Sequence, residues 1–124
     1  MRPNIVAACA ALIAIAGPAV ARDRGVPPVT PDGKPESCVD LQNIRETRVR
    51  DDRTIDFYMR NGKVYRNTLP NKCPQLGFEE RFMYETSLSK LCNVDIITVL
   101  QEPGPMRGAS CGLGDFQPVT GAPR

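Results

Sequence analysis

Hydrophobic and polar residues alternate with a period of two through the middle of the chain. Ile55, Phe57 and Met59 interleave with Thr54, Asp56, Tyr58 and Arg60, the spacing of a strand with one face buried. Asn61-Gly62 follows and predicts a hairpin, with residues 64–69 returning antiparallel. Two registers compete. A two-residue turn pairs Met59 with Val64 and Asp56 with Asn67. A three-residue turn with Gly62 left-handed pairs Phe57 with Tyr65 and Asp56 with Arg66. The second is preferred: it gathers Ile55, Phe57, Met59, Tyr65 and Leu69 on one face and sets an opposite-charge pair on the other.

Four further segments read as strands. Residues 43–49 precede a turn at Asp51-Asp52, with imperfect parity: Ile44 and Val49 face opposite ways unless a bulge intervenes. Residues 81–86 present Phe82 and Tyr84 on one side, and residues 87–93 could form one helical turn. Residues 94–100 are nearly continuously apolar and β-branched, so they are expected to be the most buried strand. Residues 113–119 form a shorter strand with Pro118 near its end, which suits an edge. About six short strands with little helix predict an all-β fold, a small antiparallel barrel or sandwich. Pro103, Gly104, Pro105 and Gly108 place a loop at 102–108, and no internal repeat is visible.

The chain has 124 residues, enough for one small domain. Arg2 is followed by an uncharged apolar run, then by Pro18 and Ala19-Val20-Ala21. This succession predicts a secretory signal over residues 1–21, with an uncleaved anchor as the alternative. The apolar run is too short for a comfortable membrane span, so no stable span is expected after cleavage. Too little apolar sequence precedes Cys9 for lipidation there. Residues 22–37 carry Pro27, Pro28, Pro31 and Pro35 and read as a flexible or extended arm. The folded domain is expected over 38–119, with a short tail at 120–124, in an exported, periplasmic or extracellular protein.

Export changes the reading of Cys38, Cys73, Cys92 and Cys111. An even number of widely spaced cysteines in a small exported chain forms a disulfide framework more often than a metal site. Four-cysteine zinc ligation lacks the usual close ligand pairs, and the chain has no His. In a simple meander Cys38 and Cys92 lie at one end of the sheet and Cys73 and Cys111 at the other. The favoured pairings are therefore Cys38–Cys92 and Cys73–Cys111. Each closes a loop worth about 4 kcal/mol by the chain-entropy argument, and reduction is expected to unfold the domain.

Segments 49–55, 59–69, 73–74, 76–78, 91–92, 95–100 and 111–116 together resemble a family of small exported proteobacterial proteins of unknown function. The resemblance spans about residues 38–119 and implies an exported origin. It brings no catalytic residue, cofactor or partner with it.

Candidate chemistry is sparse. Without His, acid–base catalysis would rest on carboxylates. Asp51 and Asp52 read as turn formers, Glu79-Glu80 as solvated loop charges, and Asp95, beside an apolar strand, needs solvent or a partner. Ser87, Ser89 and Ser110 have no base, and Cys111-Gly112-Leu113-Gly114 is a bulge or tight turn rather than a phosphate loop. Asp51, Asp52 and Asp56 lack calcium-loop spacing. Arg45, Arg48, Arg50 and Arg53 are candidates for gripping an anion such as a phosphate-bearing envelope component, set against a charged strand edge that discourages strand addition. The net charge of +2 and export argue against nucleic acid, and no cofactor is expected. The expected function is non-catalytic binding of a protein or envelope component. Two irregular segments, 70–79 and 101–110, would present the contact surface. The alternatives are an inhibitor of an exported enzyme and, ranked below it, a small carboxylate hydrolase.

Overall fold

A computed structural model describes residues 25–104 and 106–124. The leader assignment, Arg2 and Cys9 fall outside the described residues. Among the described residues ten strands form in chain order: β1 (Thr30–Pro31), β2 (Cys38–Asp40), β3 (Ile44–Val49), β4 (Thr54–Met59), β5 (Val64–Thr68), β6 (Phe82–Tyr84), β7 (Lys90–Cys92), β8 (Ile96–Gln101), β9 (Met106–Gly112) and β10 (Phe116–Thr120). A 3-10 turn, Leu41–Asn43, and one short helix, α1 (Leu76–Glu79), complete the described elements.

The hairpin adopts the preferred register, with Asp56 opposite Arg66 and Phe57 opposite Tyr65. Gly62 at φ 90 supplies the left-handed residue, and the Asn61 side chain accepts the Lys63 N–H at 2.9 Å. The parity conflict in β3 is resolved by an irregularity between Ile44 and Glu46. A bulge there lets Ile44 and Val49 both pack against the core.

The strands form three antiparallel sheets in a sandwich-like body, and the closed barrel that the pattern also allowed is not formed. The large sheet runs β1-β10-β5-β4-β3, and the three-stranded sheet runs β6-β8-β9. Ile55, Phe57 and Phe116 from the first, with Leu69 just past β5, share one core with Ile97 and Val99 from the second and with Leu76 of α1, all fully buried. The ribbon β2–β7 adds Val39 and Leu91 to that core.

Both disulfides form as expected, Cys38–Cys92 and Cys73–Cys111. The simple meander does not. β10 returns beside β5 rather than completing the second sheet. Cys38 and Cys92 still meet because β2 and β7 pair with those residues directly opposite.

Four local expectations need correction. The helical turn expected over 87–93 is absent: Lys90–Cys92 is drawn into extended pairing with β2, and the helix forms at Leu76–Glu79 instead. The loop at 102–108 ends early, since β9 begins at Met106 and pairs with β8. β10 is not an edge strand, because the extended arm covers it through β1 and a Glu36–Phe116 bridge. The most buried strand is β4, buried at every position, rather than 94–100, where Val94 is 83% and Ile96 57% exposed. The three-stranded sheet has one covered face, so within β8 it is Ile97 and Val99 that join the core. The large sheet is covered on both faces, the second time by the arm and the tail.

Candidate functional site

The two segments expected to present a surface are brought side by side. Asp52 projects from the β3–β4 turn, and its Oδ1 accepts the Gly77 N–H at 2.7 Å while its backbone oxygen accepts the Cys73 N–H at 2.8 Å. Leu76 is fully buried beneath the turn, and Cys73, also buried, ties it to β9 through Cys111. The Glu102 N–H donates to Glu79 at 3.4 Å, and Arg81 pairs with the Glu102 carboxylate at 2.5 Å. Gly77 is tightly fitted, since a Cβ there would lie 3.0 Å from Asp52 Oδ1 and 3.1 Å from the Asp51 backbone. Phe78 stands out of this clamped turn with 81% of its surface exposed, and Met106 on the neighbouring segment is 57% exposed.

The arginine-rich segment is divided among different tasks. Arg53 donates to the backbone oxygens of Leu69 and Pro70 at 3.0 and 3.2 Å, closing the end of the hairpin. Arg45 and Arg48 meet Glu46 at 3.3 and 3.7 Å on the exposed β3 edge, and the Arg48 guanidinium lies 5.8 Å from the centre of the Tyr58 ring. Arg50 turns inward. Its Nε donates to Asp56 Oδ2 at 2.9 Å, and one terminal nitrogen donates to the Tyr58 hydroxyl at 2.7 Å. Arg66 completes the cluster with bonds to Asp56 of 2.8 and 3.0 Å. Asp56 is fully buried. A buried carboxylate held by two guanidiniums is compensated for its lost hydration, whereas a lone one would not be.

Arm and tail seal this cluster. Arg66 donates to the Pro27 carbonyl at 2.8 Å. Arg50 donates to the Pro123 carbonyl at 3.2 Å, and the Tyr58 hydroxyl donates to the same oxygen. The sequence placed Asp56 opposite Arg66 but left Tyr58, Pro27 and Pro123 without a role. The half-buried Val26 and Val29 within the proline-rich arm are the signal that it covers something.

Two of the carboxylates weighed for catalysis are engaged in local structure. Asp95 Oδ2 accepts the Cys92 N–H at 2.6 Å, capping the turn into β8. Asp51 Oδ1 accepts the Arg53 N–H at 2.8 Å. Glu80 is exposed at the end of α1 in left-handed backbone. The described residues contain no group of three or more metal-ligating side chains, and no helix among them is long and apolar enough to cross a membrane. A polar cleft of about 240 Å³ opens beside Cys38, lined in part by Glu36, Asp40, Asn61, Tyr65 and Lys90. Burial above all, then a hydrogen bond and the charge of Glu36, push the Tyr65 hydroxyl up to about 12. That shift favours a protonated, non-nucleophilic phenol. No protein-family model, curated protein or solved structure matches the chain.

Proposed function

We propose that this chain is an exported, non-catalytic β-domain that binds a protein or other envelope component through the surface built around Phe78. The carrying observation is the pairing of 81% exposure at Phe78 with fixation of the turn beneath it. An apolar ring left in water is unfavourable. An aromatic side chain on a pre-ordered element makes a good contact anchor, since little freedom is lost when it is covered. The two disulfides support an oxidising compartment. A rigid, projecting turn is also what an inhibitor of an exported enzyme presents, and that is the specialised form of this reading.

The experiment places a photo-crosslinking aromatic amino acid at position 78 and, as control, at Leu88, which is 66% exposed on a different loop. In envelope preparations from the native host, position 78 is expected to give a discrete adduct and position 88 none. Equal patterns at the two positions, or no adduct at either, would remove the proposal. Loss of a hydrolase's activity on adding the intact protein would select the inhibitor form.

A further inference from the structure

We propose that Arg50, Tyr58 and Arg48 form a binding site for a phosphate-type oxyanion, and that the chain's own 121–124 tail occupies it in place of the ligand. Arg50 and Arg66 share the single carboxylate of Asp56 while their side chains are only 15% and 12% exposed. The cluster therefore retains one positive charge beyond its own carboxylate. One terminal nitrogen of Arg50 is not bonded to Asp56 and donates to the Tyr58 hydroxyl at 2.7 Å. It converges with the Tyr58 hydroxyl on one acceptor, the Pro123 carbonyl oxygen. Arg48, 41% exposed, brings a second guanidinium over the Tyr58 ring.

Two donors and an uncompensated cation thus surround a neutral oxygen. An oxyanion at that point would accept the same two bonds as charge-assisted ones, which are shorter and stronger. It would also neutralise the excess charge that burial penalises. The tail is suited to leave: Pro123 and Arg124 are exposed, and Gly121 sets their direction from left-handed backbone at φ 85. Ligand and tail then compete, and the apparent affinity scales with the fraction of molecules whose tail is displaced. This site shares no residue with the Phe78 surface, so either assignment can fail without the other.

Gly121→Val tests the idea in the full chain. Open space surrounds Gly121, but a β-branched residue there is strained at positive φ, so the tail is released without a clash in the body. Titration calorimetry with inorganic phosphate is expected to show binding about tenfold tighter to Gly121→Val than to the parent. Adding Tyr58→Phe to Gly121→Val should abolish that gain at an unchanged thermal transition. Should Tyr58→Phe unfold the protein, Arg48→Gln, an exposed change, is expected to weaken phosphate binding in the Gly121→Val background. A parallel titration with glycerol phosphate separates the sources: tighter binding than inorganic phosphate assigns the site to a phosphate ester, and weaker binding assigns it to the free ion. Equal phosphate binding by parent and Gly121→Val, or gain retained without the Tyr58 hydroxyl or without the Arg48 charge, would overturn the proposal.

Discussion

Gly114 shows how narrowly one residue can be constrained. A Cβ at this position would sit 2.2 Å from the Thr68 carbonyl oxygen, far inside contact distance. The close approach lets the buried Asn67 side chain bond Gly114 twice, donating to its oxygen at 2.7 Å and accepting its N–H at 2.8 Å. Asn67 lies on the core face of β5 opposite Phe116, and these bonds satisfy its amide where water is excluded. Gly114→Ala is expected to cost ~3 kcal/mol or more, because backbone must move and a buried amide loses its partners. Gly112→Ala, with open space around it, is expected to stay within ~0.5 kcal/mol. Urea denaturation midpoints of the two variants check the contrast. The glycines of 111–114 read as a bulge or tight turn, whereas β9 runs on through Gly112 and residues 113–115 are irregular; only the tertiary approach of Thr68 sets Gly114 apart from Gly112.

At the scale of elements, alternation and turn chemistry made the β3–β4–β5 meander legible, down to the register of the hairpin. They failed where packing overrides local preference. α1 begins after a left-handed Gln75 and spans four residues, too few for any periodic signal. It forms because Asp52 and the Cys73–Cys111 bridge seat it. β2 and β7 are three residues each and exist as a pair, with one disulfide between opposed positions. The Cys38–Cys92 pairing was readable although the meander behind it was not, since Cys38 opens β2 and Cys92 closes β7. Replacing both Cys73 and Cys111 with Ser is expected to cost about 4 kcal/mol and to loosen α1. Hydrogen exchange at the Gly77 and Glu80 N–H groups should accelerate in that variant. Unchanged protection there would mean that Asp52 alone holds the turn and that the Phe78 surface does not depend on the staple.

For the whole molecule, the decisive feature is a large sheet buried on both faces. Alternation in β4 reads as one apolar and one wet face, and so it hides the second layer. The polar side, with Asp56 and Tyr58, is covered by segments whose prolines suggest an unattached arm. The anion-candidate arginines were legible as a group, but their separation into edge, hairpin and cluster depends on this cover. The arm also encloses Tyr65 beside Glu36. Tyr65's folded value, about 12, lies above its ordinary 10.0, so its stabilising effect is complete below pH 10 and is lost as pH climbs through about 12. Relative to the parent, Tyr65→Phe is expected to show a shallower fall in stability over that alkaline interval. Denaturant melts at matched pH values measure the difference, and parallel curves would show that Tyr65 ionises equally easily folded and unfolded.

Pro27, near the front of the described chain, and Pro123, near its back, both offer carbonyls to arginines that share Asp56. Two stretches far apart in the chain therefore hang from one buried carboxylate, so a single neutralising change at Asp56 would unfasten both together.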